Sequence, residues 1–276
     1  MPLPRKNRQP DAGILVFMPK KNTKPTTRKK ADQYDNDGYN YLDYWTGRDY
    51  ENQAEEMAIK RLIKGKKFDS AADIGGGYGR LCILLEKYAD KVTLVEPSRA
   101  QLDIAKDYLK DHPGISQKLM QADDLKFEDG SLNLVTMIRV MHHLPNPIPE
   151  LSEIHRVLSK DGYFILELAN YAHARNRIKH LIKGQPLPKD PVDIRSAKNR
   201  REEEIAFVNH NPQTVISQLD SVGFNVERML SVSNLRSPGL KKYVPRAVML
   251  SLEKVMQPTL AMTYFGPSVF FLLRKK

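Results

Sequence analysis

The sequence predicts an open α/β sheet with helices on both faces, and three observations carry that prediction. Ala71-Ala72-Asp73-Ile74 is a short apolar run that ends in a glycine-rich turn, Gly75-Gly76-Gly77-Tyr78-Gly79, before the apolar stretch Leu81–Leu85. A buried strand that passes into a helix through glycines is where such sheets hold nucleotide-like ligands. Lys91-Val92-Thr93-Leu94-Val95-Glu96 is a second β-branched, apolar run, and it ends on a carboxylate. Strand-like runs at Leu132–Val135 and Tyr163–Leu166 then follow, separated by a helical stretch.

Taken in chain order, residues 1–33 read as a basic tail. Residues 1–30 hold nine Lys or Arg against the single acid Asp11, so most of the net charge of +11 sits there. A segment rich in Pro, Lys and Thr cannot bury enough apolar surface to fold alone and is predicted to be disordered. One domain is expected over 34–276. It opens with a cap segment, 34–66, in which Tyr34, Tyr39, Tyr41, Tyr44 and Trp45 precede Arg48, and an amphipathic helix runs from Ala54 to Ile63. Ser98 is placed to cap the helix that carries Leu102, Ala105 and Leu109 on one face.

Beyond the fifth strand, Asn170-Tyr171-Ala172-His173 is expected at the strand's C-terminal end, facing the reaction. Residues 174–210 form a polar, basic insertion broken by Pro186, Pro188 and Pro191, read as a lid or substrate arm. Asn211-Pro212 starts a helix that Gly223 ends. Phe224–Ser233 is a strand, Tyr243–Met262 is helical in pattern, and Val269–Leu273 is a last apolar strand. Residues 240–262 serve either as a substrate cover or as a membrane-touching helix with basic ends. No run approaches the roughly 18 apolar residues of a membrane span. The one cysteine, Cys82, precludes a disulfide within the chain, fits a reducing cytoplasm, and reads as a small buried hydrophobe.

The glycine spacing distinguishes ligands. A dinucleotide site uses G-x-G-x-x-G to bring backbone to a pyrophosphate, but position 80 is Arg. The pattern is Asp73-x-Gly75-x-Gly77-x-Gly79, which resembles the first motif of class I S-adenosylmethionine-dependent methyltransferases. With Glu96, the loop Gln121–Gly130 and the exit Ile138–Pro145, the resemblance spans roughly residues 50 to 170. The segment Ile138-Arg139-Val140-Met141 lacks the Asn/Asp-Pro-Pro-aromatic motif of amino-directed nucleic-acid enzymes. The chain thus looks like the ubiquinone-biosynthesis-like, type 11 group.

The resemblance implies a three-layer Rossmann-like fold with a seven-stranded sheet, mostly parallel with an antiparallel final strand. It also implies S-adenosylmethionine as cofactor. Asp73 would accept from the ammonium, directly or through water, and Gly75, Gly76, Gly77 and Gly79 would let the ligand approach the backbone. Glu96, followed by Pro97, would accept both ribose hydroxyls. Family members often place Asp before the Ala of the adenine loop, whereas this chain has Gln121, so Gln121, Asp123 and the Ala122 backbone all stand as adenine readers. Arg139, Arg48 and Tyr44 complete the expected cofactor set, with Arg48 pairing the carboxylate and Tyr44 walling the sulfonium.

Methyl transfer is an in-line displacement that needs alignment, a dry pocket and, for a protonated acceptor, a base. His142, His143 and His173 are the candidates, with packing as the competing role for each, and no metal is expected. The expected acceptor is a small molecule or lipid-like compound. The alternatives are an RNA target reached through the basic tail and insertion, and a non-catalytic binder of the cofactor.

Overall fold

The computed structural model describes residues 44–201 and 206–276. The basic tail and Tyr34, Tyr39 and Tyr41 lie outside the described residues. Helix α1 (Asp49–Leu62) leads into β1 (Phe68–Ile74), the short α2 (Cys82–Leu85), β2 (Ala89–Glu96), α3 (Arg99–Tyr108), β3 (Ile115–Leu119) and β4 (Leu132–Met137). Helix α4 (Ile148–Val157), β5 (Leu158–Ala169) and α5 (Ala174–Ile182) follow. The two-residue strands β6 (Val192–Asp193) and β7 (Val208–Asn209) flank α6 (Ala197–Arg201). Helix α7 (Pro212–Val222), β8 (Phe224–Val232), α8 (Pro238–Tyr243), α9 (Arg246–Thr259) and β9 (Ser268–Lys275) complete the chain.

Seven strands form one sheet in the order β3-β2-β1-β4-β5-β9-β8. β3, β2, β1, β4 and β5 are parallel neighbours, and β9 runs antiparallel between β5 and β8. The central strands read as continuous apolar runs because both faces are covered. On β4, Leu134 packs with Ile59 and Leu62 of α1 and Leu102 of α3 on one face. Its neighbour Val135 packs on the other face with Leu151 and Ile154 of α4 and Leu219 of α7. Among the described residues no helix is long and apolar enough to cross a membrane.

The local signals hold where the sequence is explicit. Ser98 accepts from the Gln101 N–H at 3.2 Å, and Asn211 accepts from the Gln213 N–H at 3.0 Å. Gly223 ends α7 in the left-handed conformation at φ +101°. Other expectations are corrected. The first helix starts at Asp49 rather than Ala54. The helix after the glycines is only four residues long, because the chain must return quickly to set Ala89 opposite Phe68. The helical stretch expected over 243–262 is shorter than that: it starts after Pro245 as α9, Arg246–Thr259, and α8, Pro238–Tyr243, is a separate short helix before it. The insertion carries α5, the β6–β7 pair and α6.

Helix α9 is tied to α1 through Glu253, which is fully buried. Its carboxylate accepts from the Tyr50 hydroxyl at 2.7 Å and from the Ser233 N–H at 2.8 Å. Burial pushes the Glu253 carboxyl upward, against the donors around it.

Candidate functional site

The sheet order reverses between β1 and β4, and ligands of open α/β sheets bind where the strand order changes direction, beyond the C-terminal ends. The β1 exit bends through Gly75, Gly77 and Gly79, with φ of +67°, +58° and +88°. Gly75 and Gly76 both donate their N–H to the Val95 carbonyl, at 2.7 and 3.2 Å. A Cβ on Gly75 would lie 2.4 Å from Cγ2 of Val140, and one on Gly76 would lie 2.6 Å from Oδ2 of Asp73. The glycines therefore bring the β1 and β4 exits together as well as baring the backbone.

Asp73 is 1% exposed, and the Thr136 hydroxyl donates to it at 2.6 Å. Burial pushes its carboxyl up to about 6, against the opposing pull of Thr136 and Arg80. Glu96 is also buried; its Oε2 accepts from the Gly77 N–H at 2.8 Å and its Oε1 from the Ser98 N–H at 3.0 Å. It thereby joins the glycine turn to the cap of α3. The loop Gln121–Gly130 leaves beside it, since the Met120 N–H donates to the Glu96 carbonyl at 3.3 Å. Gln121 and Asp123 are exposed there, and Ala122 and Pro97 are half-buried.

A buried ion cluster faces Asp73. Glu55 of α1 is paired with Arg80 at 2.7 Å and with Arg139 at 2.6 Å. Burial pushes the Glu55 carboxyl up, but the two guanidinium groups outweigh it and hold the group below the usual carboxylate range. Arg139 occupies the left-handed region at φ +62°, rare for a residue with a side chain. Its N–H donates to Glu167 at 2.9 Å and its Nη1 to the Tyr44 hydroxyl at 2.9 Å, which holds the strained backbone in place. Trp45 lies over Arg80, 3.8 Å from ring centroid to guanidinium, and Arg48 stacks on Tyr44 at 4.0 Å.

Between Asp73, Gly75 and Gly76 on one side and Arg80 and Arg139 on the other is a cavity of about 20 Å³. Arg48, expected to be the carboxylate partner, does not line it. Sequence reasoning missed Arg80 and Glu55. Arg80 registered only as the residue that spoils a dinucleotide motif, although a cation directly after the last glycine was a usable signal. Glu55 left no signal, since its partners are distant in sequence.

At the β4 exit, His142 and His143 lie with ring centroids 4.0 Å apart, and Phe207 lies 4.4 Å from His142. His143 Nδ1 is 3.1 Å from the Ala206 carbonyl, and His210 Nε2 is 2.9 Å from the Met141 carbonyl. A carbonyl only accepts, so each of those nitrogens carries the proton. Burial, then His143, Arg139 and His210, push the His142 imidazole well below its usual range, so it is neutral. His173 stands at a different exit, as the N-cap of α5 beside Arg236, Arg175 and Arg177. Asn170 is fully buried at the C-terminal end of β5. Its Nδ2 donates to the Tyr264 and Gly266 carbonyls at 2.8 and 2.7 Å, tying β5 to the approach of β9.

The donor set fits S-adenosylmethionine. A buried carboxylate at Asp73 suits an ammonium, Arg80 and Arg139 suit a carboxylate, and Glu96 beside an open loop suits a ribose diol.

Comparison with known proteins agrees with this fold. Residues 72–166 match the methyltransferase-domain family. An uncharacterized methyltransferase of Bacillus subtilis is 24% identical over 127 residues, covering 45% of this chain and 50% of that protein. The chain thus aligns with half of that relative's length. A possible histamine N-methyltransferase of Thermotoga maritima superposes with a TM-score of 0.60 at 19% identity, over 86% of this chain and 94% of that one. A geranyl diphosphate C-methyltransferase of Streptomyces coelicolor, crystallised with S-adenosylhomocysteine, gives 0.51 at 15% identity, over 81% of this chain and 77% of that one. Residues 72–166 carry the match to the methyltransferase-domain family, and the seven-stranded sheet that holds them has the Rossmann-like fold of these solved methyltransferases.

Proposed function

We propose that the chain methylates a small-molecule or lipid-like acceptor that enters over His142, His143 and Phe207. The observation that supports this acceptor class is that wall: two imidazoles, one of them held neutral, and a phenyl ring, with no formal charge on His142 to attract a phosphate backbone. When bound, S-adenosylmethionine supplies a methyl group activated by a sulfonium. Asp73, Arg80, Arg139 and Glu96 are the residues that would hold and orient it, with Gln121, Ala122 and Asp123 at the adenine end. Tyr44 and Trp45 exclude water from the donor side. His142 has a basic lone pair at neutral pH and takes the proton that an acceptor N–H or O–H loses.

The test is methyl transfer from the tritiated cofactor into a cell extract split into organic-soluble, small polar and RNA fractions. Label in the organic-soluble or small polar fraction is expected. Label confined to RNA would overturn the acceptor class.

A further inference from the structure

The layer built by α1, β8 and α9 contains an open groove of about 790 Å³ that shares no lining residue with the site above. Its floor is apolar, formed by Met229, Leu230 and Ala261, and Met262 stands at its edge 76% exposed. The other character of the groove is charge. Lys60, Arg61, Lys64, Arg228 and Lys254 line it, and among the described residues no acidic side chain does.

Most of that charge is left uncompensated by the local bonding. Arg61 donates to the Lys254 carbonyl at 2.7 Å, and Arg228 donates to the Arg61 carbonyl at 3.3 Å. Neutral carbonyls fix the guanidinium groups in place but cancel no charge. Lys60 is paired with Glu56 at 3.0 Å, an exposed pair of neighbouring helical turns that adds little. Lys64 and Lys254 are exposed.

The combination selects its occupant. An inorganic anion or a nucleic-acid backbone leaves the apolar floor wet, and a neutral lipid leaves Arg61, Lys64, Arg228 and Lys254 without a counter-charge. The chain's own basic N-terminal segment, with nine cations against one acid over residues 1–30, is repelled, and a second copy brings another net charge of +11. We propose that this groove binds a single-chain anionic amphiphile, an alkyl or prenyl phosphate, with its chain along Met229 and Leu230 and its head among Arg61, Lys64 and Lys254. The volume lies in the roughly 300–1,000 Å³ range of ligand sites. Lysine and arginine also suit the task sterically, since their apolar stems continue the floor while their heads meet the phosphate. The site stands independently of the acceptor proposed above.

The experiment is titration calorimetry of the full chain with dodecyl phosphate below its micellar concentration, alongside inorganic phosphate, dodecyl maltoside and a 12-mer of single-stranded RNA. Saturable binding of dodecyl phosphate with one site is expected, at least tenfold tighter than either half-probe. Lys64→Gln with Lys254→Gln should weaken it about tenfold, and Met229→Glu should abolish it, with circular dichroism and S-adenosylhomocysteine affinity unchanged in both variants. Absence of saturable binding overturns the proposal. So does equal affinity for dodecyl maltoside or phosphate, displacement of the amphiphile by the RNA, or affinity unmoved by both variants.

Discussion

Arg139 and Glu55 are 84 residues apart in the chain and meet at 2.6 Å, with Arg80 holding the other oxygen of the same carboxylate. The pair joins the first helix to the exit of β4 directly above the glycine turn. Both guanidinium groups that face Asp73 therefore share a single protein carboxylate, which offsets only one of their two charges, and a bound ligand carboxylate would compete with Glu55 for them.

Glu55→Gln removes that competitor and leaves two buried cations with a neutral amide. Breaking a buried pair in this way costs about 3 kcal/mol, so the midpoint of chemical denaturation should fall. The rise in Tm caused by S-adenosylhomocysteine should be larger in the variant than in the parent. An unchanged ligand-free stability would show that the cluster is more solvated than its geometry indicates.

Asp73 is expected to couple cofactor binding to pH. Its carboxyl is raised to about 6 in the folded chain, from an ordinary value of 3.8. The folded state therefore binds more protons than the unfolded one between those values, and this group's contribution to stability falls as pH rises from about 4 to about 6. The difference corresponds to roughly 3 kcal/mol. Asp73→Asn should raise ligand-free stability at pH 8 while lowering cofactor affinity, read by denaturation and calorimetry on the same samples.

Glu96→Ala removes the acceptor of the Gly77 and Ser98 N–H groups as well as the proposed ribose contact. Charge-assisted bonds of this kind are worth about 2 kcal/mol each. Calorimetry should show S-adenosylhomocysteine affinity reduced by about a hundredfold. Unchanged affinity would refute the ribose role.

His142 should behave as a base with a low pKa. Burial lowers the imidazole below 6.5, so protonation opposes folding and stability from this group is lost as pH falls below that value, the opposite sign to Asp73. His142→Gln should reduce kcat about a hundredfold or more and leave cofactor affinity unchanged. The rate of the parent should stay level down through pH 6.5, measured by initial rates on the acceptor that the fractionated extract identifies.

The parts legible in the sequence are the ones whose cause is local. The glycines at 75, 77 and 79 are there because the turn needs positive φ, and Ser98, Asn211, Pro212 and Gly223 mark helix ends because capping is decided within a few residues. The apolar run of β4 reads as a buried parallel strand because both of its faces are covered. Such signals were enough for an open α/β sheet with a glycine turn after its first strand, while the count of seven strands with one antiparallel came with the family resemblance.

What only the tertiary structure decided depends on residues that meet across the fold. Glu55 was unmarked on α1, Phe207 reached His142 from the other side of the insertion, and Arg48 gave up the cavity to Arg80 and Arg139. The basic rim of the groove was likewise scattered over α1, β8 and α9. Motif spacing records backbone geometry, which neighbours in sequence determine. Pairing of buried charges, the protonation of His142 and the shape of a groove depend on which distant side chains share a low-dielectric space, and the folded chain alone brings those together.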